Sequence, residues 1–299
     1  MASLSDRLTR RNVLRAGAAI AAVATMKSNN VQGDDARAAD PEVRRGNIKQ
    51  SVMYWCYQPM ALETLARHAA AIGLKAIENV PTKDWGILKE HGLICAMTVG
   101  HWFIDGLNRK ENHPMCVEKL RAAIDANAEA GFPNVVTFSG MRRGMPEDVG
   151  LENTVSGLKQ VIGYAERKKV NLCLEMLNSR VDAEMKGHPG YMCDRLEWAV
   201  QVCERIASER MKILFDVYHV QIMEGDIISR IRQYREYIGH YHIAGVPGRN
   251  EPDDTQELNY PAIMRTILDT GYTGYVGQEF IPTHDPMQSL REAVRICDV

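Results

Sequence analysis

The stretch MKILFDVY, residues 211–218, is apolar along most of its length and carries one carboxylate, Asp216. A nearly continuous apolar run of this length is typical of a strand that is covered on both faces, as the strands of parallel sheets are. Seven more runs of strand length accompany it, at 50–55, 76–80, 93–100, 134–140, 171–177, 238–246 and 275–280. The sequence therefore predicts eight strands.

Segments of helical period separate these runs. In one segment the apolar residues Val155, Leu158, Ile162 and Ala165 recur at the spacing of a single helix face. Four glycines fall where helices should end before the next strand: Gly73, Gly92, Gly131 and Gly271. Eight alternating strand–helix units predict a single (β/α)8 TIM barrel of the α/β class. A doubly wound open sheet is the alternative, but no GxGxxG pattern follows the first strand.

Composition narrows the class of protein. The 299 residues include 36 Lys and Arg against 38 Asp and Glu, which gives a formal net charge of −2. This balance leaves no excess positive charge for phosphates, so no nucleic-acid partner is expected. The sequence has no run of about 20 apolar residues, so no ordinary membrane span is expected. A soluble enzyme that acts on a small molecule fits this composition.

The N-terminal segment has the pattern of a targeting signal rather than of a folded element. TRRNVL places Arg10 and Arg11 before a short apolar stretch, which resembles a twin-arginine export signal. A disordered basic arm is the alternative. We expect residues 1–45 to be signal and linker and residues 46–299 to form the barrel. The expected location is periplasmic or otherwise extracytoplasmic.

Candidate metal ligands stand near the ends of four consecutive predicted strands: Glu175, Asp216, His242 and Glu279. A carboxylate within an apolar strand is costly unless it is paired or bound to a metal. Neighbouring strands lie roughly 5 Å apart, and active sites of such barrels form at the carboxyl ends of the strands. Three carboxylates and one imidazole suit one divalent cation, with Mn2+ or Mg2+ favoured and Co2+ or Zn2+ as alternatives.

Four more residues are candidates for substrate binding: His219, Arg249, Glu78 and His101. His219 follows the sixth strand and could hydrogen-bond a substrate oxygen, or cap a helix. The planar guanidinium of Arg249 could bind a carboxylate through two hydrogen bonds, or it could be solvated in a loop. Glu78 and His101 follow the second and third strands, where they are expected either to line the pocket or to support it. The segment KGHPGYM, 186–192, is expected to be a lid or a turn.

Three stretches of the sequence carry a family resemblance. They are DVYHVQIMEGD (216–226), PGRNEP (247–252) and ELNYPAIM (257–264). Together they resemble the hydroxypyruvate isomerase family, which belongs to the xylose isomerase-like barrel group together with the ketose 3-epimerases. The resemblance extends over roughly residues 47–299.

The resemblance implies an isomerase that holds one divalent metal through the four candidate ligands. It also implies that Glu175 and Glu279 are catalytic and exchange protons with the substrate, and that the protein is a homo-oligomer. The reaction would interconvert hydroxypyruvate and tartronate semialdehyde through an enediolate. His242 departs from the hydroxypyruvate isomerase pattern. The resemblance implies Gln at this position in hydroxypyruvate isomerases and His in the ketose 3-epimerases. A ketose 3-epimerase is therefore the alternative. A non-catalytic sugar-binding protein is a further alternative, against which the second glutamate argues.

Overall fold

The computed structural model describes residues 45–299 of the chain. The predicted export signal falls on residues 1–45 and so lies, except for its last residue, outside the described residues. The strand segments in residues 45–299 are β1 (Lys49–Met53), β2 (Ala76–Glu78), β3 (Ile94–Cys95), β4 (Met97–Val99), β5 (Asn134–Thr137), β6 (Asn171–Glu175), β7 (Met211–Asp216), β8 (Ile238–Ile243) and β9 (Tyr275–Gln278).

Helices follow most of the strands. The α-helices in the same described range are α1 (Leu62–Ala71), α2 (Trp85–Glu90), α3 (His113–Ala130), α4 (Glu147–Lys159), α5 (Ile162–Lys168), α6 (Leu196–Ile206), α7 (Val217–Met223), α8 (Ile227–Tyr234), α9 (Tyr260–Asp269) and α10 (Pro286–Cys297). This alternation is the one that the apolar runs and helical periods predict.

All strand pairings are parallel, and the sheet curves almost into a closed ring. Its order is β3-β2-β1-β9-β8-β7-β6-β5-β4, so β1 lies between β2 and β9. The two terminal segments, β3 and β4, are separated in the chain only by Ala96. Together they form the third strand, and the eight predicted strands are confirmed as a parallel barrel.

At the point where the third strand is interrupted, a side chain hydrogen-bonds to its backbone. Asn134 on β5 donates its Nδ2–H to the carbonyl oxygen of Ala96 at 3.1 Å. On one side of this point β3 pairs with β2, and on the other side β4 pairs with β5. The backbone N–H of Asn79, the residue after β2, donates to the backbone carbonyl of Met97 at 2.9 Å and so links β4 to the end of β2.

Helix ends agree with the glycine pattern, but one predicted helix is divided. Gly73, Gly92, Gly131 and Gly271 all adopt positive φ angles, which residues with a Cβ rarely adopt. The apolar face that runs from Val155 to Ala165 belongs to two helices, because α4 ends at Lys159 and α5 begins at Ile162. The expectation of one continuous helix there is wrong.

The core is formed by the strands and by one face of each surrounding helix. All residues of β2 and β5 are buried, as expected for strands covered on both faces. The largest fully buried side chains include Trp198 of α6 and the adjacent rings of Phe215 and Tyr241, whose centroids are 5.7 Å apart. Within residues 45–299 no helix has the length and apolar character needed to cross a bilayer.

Candidate metal centre and active site

The four predicted metal ligands lie at the carboxyl ends of four neighbouring strands. Glu175 ends β6, Asp216 ends β7, His242 is the penultimate residue of β8, and Glu279 directly follows β9. The strand register brings them level, because Asp216 pairs with His242 and His242 pairs with Gly277. All four side chains are buried.

Their donor atoms converge on one region. One donor atom from each of the four residues can be chosen so that all four lie within 4.8 Å of one another. Nδ1 of His242 is 2.7 Å from Oε2 of Glu279 and 3.8 Å from Oε1 of Glu175. The structure brings together the four residues that the strand ends predict.

Several of these atoms have no hydrogen bond to the protein. Asp216 Oδ2, His242 Nδ1 and Glu279 Oε2 are buried, and none makes a hydrogen bond of acceptable geometry with any residue in 45–299. Buried polar atoms without partners are costly, and three oxygens with one nitrogen are common ligands of divalent cations. The residues present therefore fit a divalent cation.

The electrostatics of the cluster also favour a cation. Burial raises the pKa of Glu175, and it raises the pKa of Asp216 to about 7. Burial also opposes ionisation of Glu279, but the charges of Arg249 and His242 outweigh it and hold the pKa of Glu279 well below its usual range. A divalent positive charge at the centre would stabilise all three carboxylates in their ionised form.

Arg249 lies beside the carboxylates and not in solvent. It is 2% exposed, and its Nη2 is 2.9 Å from Glu279 Oε2 and 3.6 Å from Asp216 Oδ2. Nη1 donates to the carbonyl of Met185 at 2.5 Å, and the guanidinium stands over the ring of Trp55, 5.3 Å from its centroid. The alternative of a solvated loop arginine is excluded.

His219 is buried behind Asp216 with one ring nitrogen free to donate. Its Nδ1 accepts the backbone N–H of Asn178 at 3.1 Å, so Nε2 carries the proton of the neutral ring. Nε2 is 3.7 Å from Asp216 Oδ2 and makes no hydrogen bond to any described residue. Burial lowers the pKa of His219 well below its usual value, which keeps the ring neutral. A hydrogen bond from Nε2 to a substrate oxygen remains a prediction.

Glu78 and His101 are not part of the cavity lining. Glu78 is fully buried, and its carboxylate oxygens accept hydrogen bonds from the rings of His240 and His242 at 2.9 and 2.8 Å. His101 is held by the hydroxyl of Thr137 at 2.8 Å and by a backbone carbonyl, and burial lowers its pKa to about 4. Both side chains are directed at protein groups, so the expectation that they line the pocket is corrected.

A cavity of about 540 Å³, measured with its open mouth, adjoins the metal ligands. Glu175, His242, Glu279 and Arg249 form one side of it. The other side is largely apolar and contains Met53, Met97, Val99, Val136, Phe138, Leu177 and Leu214.

Three polar residues of the cavity were not among the predicted site residues. Trp55 donates its indole N–H to Glu279 Oε1 at 2.9 Å. Asn79 and His188 also line the cavity, and burial together with the charge of Arg249 lowers the pKa of His188 to about 4. Trp55 and Asn79 follow β1 and β2, so the strand-end rule could have identified them. His188 lies in the predicted lid or turn segment, where no local pattern marks it as a cavity residue.

A closed parallel barrel with a polar cluster at its carboxyl ends defines a TIM barrel with a candidate active site. Residues 66–298 match the family model described as xylose isomerase-like TIM barrel. The chain belongs to this family.

Curated relatives and a solved structure extend the comparison. A putative hydroxypyruvate isomerase of Homo sapiens is 32% identical over 230 residues, which cover 76% of this chain and 78% of that protein. The 2-oxo-tetronate isomerase of Cupriavidus necator is 36% identical over 118 residues, covering 40% of this chain and 43% of that protein. The expected resemblance to hydroxypyruvate isomerases is confirmed.

Comparison with a solved structure shows likeness in fold. The apo structure of 3-keto-D-glucoside 4-epimerase from Escherichia coli superposes with a TM-score of 0.70 at 22% identity. The match covers 84% of this chain and 100% of that one.

Proposed function

We propose that this chain is a metal-dependent isomerase that interconverts hydroxypyruvate and tartronate semialdehyde. The observation that carries the proposal is the pair of buried glutamates, Glu175 and Glu279. Both border the cavity and both approach Nδ1 of His242, at 3.8 and 2.7 Å. An isomerase of this type needs one group to remove a proton from carbon and one to return a proton to the neighbouring carbon. The relatives named as isomerases of hydroxypyruvate and 2-oxo-tetronate support the same class of reaction.

The cation proposed for this site is Mn2+ or Mg2+, with Co2+ or Zn2+ as alternatives, held by Glu175, Asp216, His242 and Glu279. When bound, it supplies Lewis-acid stabilisation for the negative charge that develops on the substrate oxygens. The same positive charge favours the ionised form of the glutamate that removes the proton from carbon.

The residues of the chain perform the proton transfers. One of Glu175 and Glu279 removes a proton from C3 of hydroxypyruvate. The electron pair of the broken C3–H bond forms the C2–C3 double bond of an enediolate, and the C2 carbonyl pair moves onto its oxygen. The other glutamate delivers a proton to C2. The C3 hydroxyl becomes the aldehyde as its proton leaves, and the oxygen on C2 gains a proton and becomes a hydroxyl. His219, through Nε2–H, and Arg249, through its guanidinium, hold the substrate oxygens. Burial of the site keeps bulk water from the intermediate.

The apolar side of the cavity favours a short substrate over a ketohexose. A polyol chain needs hydrogen-bond partners for each buried hydroxyl, because an unpaired polar group costs about 1–3 kcal/mol. Met97, Val99 and Val136 offer none through their side chains. A three-carbon keto acid places its polar groups at the metal side and leaves little to bury against this wall.

A ketose 3-epimerase is the second candidate. His242 favours it, since the resemblance associates histidine at this position with the epimerases. The chemistry of proton removal and return on carbon is common to both reactions, so the two candidates share the same glutamate pair.

One experiment separates these candidates. The metal-loaded protein is incubated in D2O with hydroxypyruvate and with a panel of ketoses, and deuterium on carbon and product formation are followed by NMR. Conversion of hydroxypyruvate with deuterium incorporation supports the proposal. Exchange with ketoses alone supports the epimerase, and an absence of exchange with every substrate supports a sugar-binding protein.

We further propose that residues 1–45 direct export by the twin-arginine route to the periplasm or another extracytoplasmic space. The motif TRRNVL, with Arg10 and Arg11, supports this. A fusion of these residues to a reporter should be exported, and the Arg10→Lys, Arg11→Lys double variant should not. Equal export of both fusions would contradict a twin-arginine signal.

A further inference from the structure

Glu78 forms the centre of a buried hydrogen-bond network behind the metal ligands. It ends β2 and is fully buried. Its Oε2 accepts from Nε2 of His242 at 2.8 Å, and its Oε1 accepts from Nε2 of His240 at 2.9 Å. The hydroxyl of Ser51 on β1 donates to the same Oε1. Three donors from two other strands therefore hold one carboxylate.

The network determines which nitrogen of His242 can bind a cation. An ionised carboxylate accepts hydrogen bonds and donates none, so the hydrogen atom in the 2.8 Å contact belongs to Nε2 of His242. A cation can bind His242 only in its neutral form, and in that form Nδ1 keeps its lone pair. Nδ1 is the atom that lies 2.7 Å from Glu279 Oε2 and 3.8 Å from Glu175 Oε1.

Glu78, His240 and His242 also satisfy the spacing of a three-residue metal site. However, both imidazoles make direct hydrogen bonds to the carboxylate. The Nε2 atoms are thus already engaged as donors, and the group is a hydrogen-bond network that supports one site.

A glycine makes room for this arrangement. Gly277 lies on β9, and a Cβ atom there would be 2.5 Å from Glu78 Oε1 and 2.9 Å from Cδ2 of His242. Contacts that short would force the carboxylate and the imidazole to move. Glycine at this strand position thus permits the close approach of Glu78 and His242.

We infer that Glu78 is a positioning residue that fixes the ring orientation and tautomer of His242 and directs Nδ1 at the cation. The inference rests on the metal dependence of the proposed function. Carboxylates that orient metal-binding histidines in this way typically contribute about 10- to 100-fold in metal affinity. Ser51 and His240 hold Glu78 in its place.

The first test measures the tautomer directly in the unaltered protein. Histidine 15N resonances are recorded by NMR for the Mg2+-loaded, full-length chain, and the His242 signals are assigned by their loss in His242→Gln. The expected result is a protonated Nε2 and an unprotonated Nδ1. A protonated Nδ1 would overturn the inference, whatever any variant shows.

The second test measures Mn2+ affinity by calorimetry, without substrate. Glu78→Gln is expected to weaken Mn2+ binding by about 10- to 100-fold, because its amide cannot accept from both histidines and Ser51. Glu78→Asp should recover part of the loss, and Gly277→Ala should weaken binding in the same direction. Glu90→Gln, an exposed position at the end of α2, is the matched control.

The outcomes separate this inference from the proposed function. Affinity of Glu78→Gln within twofold of the parent overturns the inference and leaves the isomerase proposal standing. A parent that binds none of Mn2+, Mg2+, Co2+ and Zn2+ overturns the metal dependence on which both depend. If Glu78→Gln does not fold, the parent tautomer and the affinity of Gly277→Ala decide the question.

Discussion

The two sides of the cavity are both built from parallel strands, but one side presents charged side chains and the other presents apolar ones. The ligand side carries Glu175, His242 and Glu279 at the ends of β6, β8 and β9, and the buried Asp216 lies beside them at the end of β7. The apolar side consists mostly of residues that belong to or directly follow β1, β4 and β5, namely Met53, Met97, Val99, Val136 and Phe138. Leu214 of β7 and Leu177, two residues beyond β6, complete it.

We expect this difference to separate chemistry from size selection within one barrel. The ligand side buries charge and needs Arg249, Trp55, His240 and Glu78 to support it. The apolar side needs no polar partners, since its residues only occupy space and exclude water. We expect changes to the ligand side to affect the rate of reaction and changes to the apolar side to affect which substrate is accepted.

The largest effect should come from removal of the cation. Exhaustive chelation is expected to abolish isomerase activity, because the carboxylates of the ligand side lose the charge that stabilises them and the intermediate. Activity and elemental metal content are measured before and after chelation, and Mn2+ is then added back. Full turnover in metal-free protein would show that the ligand side does not act through a cation, and its contrast with the apolar side would lose its chemical meaning.

Glu279→Gln should have the next largest effect. The amide keeps the shape and one oxygen of the side chain but cannot accept a proton near neutral pH. Turnover at saturating metal should fall at least about 100-fold, the low end for loss of general acid–base catalysis. The control is Glu236→Gln, at an exposed position. Retention of most activity, with metal occupancy verified, would leave Glu279 as a ligand and Glu175 as the single base.

Val99→Thr tests the apolar side with almost no change in volume. The added hydroxyl can bond a substrate hydroxyl, so the ratio of kcat/KM for a four-carbon ketose to that for hydroxypyruvate should rise about tenfold. Val149→Thr, at an exposed position of α4, is the matched control. If the ratio is unchanged while turnover on hydroxypyruvate falls strongly, the apolar side takes part in the chemistry.

The smallest effect concerns stability on the apolar side, where His101 supports Thr137 of β5. Burial lowers the pKa of His101 to about 4 in the folded state, against an ordinary value of 6.5. The unfolded chain therefore takes up the proton first, and stability is lost as pH falls from 6.5 towards 4. Between pH 7.5 and 5.5 the parent should lose about 1 kcal/mol more unfolding free energy than His101→Gln.

Denaturant unfolding at both pH values measures this difference. His284→Gln, an exposed histidine, should lose as much stability as the parent does. An identical loss in His101→Gln and in the parent would show that His101 does not remain neutral on folding.

Much of the fold could be predicted from the sequence because its signals are local. Apolar runs mark buried parallel strands, and glycines mark helix ends, and these patterns identify all eight strands of the barrel. The division of the third strand at Ala96 coincides with a hydrogen bond from the side chain of Asn134, which is 38 residues away in the chain, and no local pattern marks it. The boundary between α4 and α5 follows no such pattern, because the apolar face continues across it.

The candidate site, like the fold, could be predicted only where the signal is local in the sequence. The convergence of the four candidate metal ligands could be predicted because strand ends converge in a parallel barrel. Which way Glu78 and His101 point could not, since their directions depend on His242 and Thr137, residues that no local pattern connects to them. His188 enters the cavity from a loop, where its ring packs against that of Phe103 with centroids 4.4 Å apart and planes inclined at 57°.

The interruption at Ala96 determines where the barrel opens most easily. β3 has two residues and β4 has three, whereas β7 and β8, on the ligand side, have six each. Segments with few backbone hydrogen bonds open at lower free energy than long paired strands do. We expect amide hydrogen exchange to be fastest, among the strands, along this seam. Met97 and Val99 belong to the seam, so we expect the apolar side of the cavity to be more plastic than the ligand side. The range of substrates could then diverge while β6 to β9 stay paired.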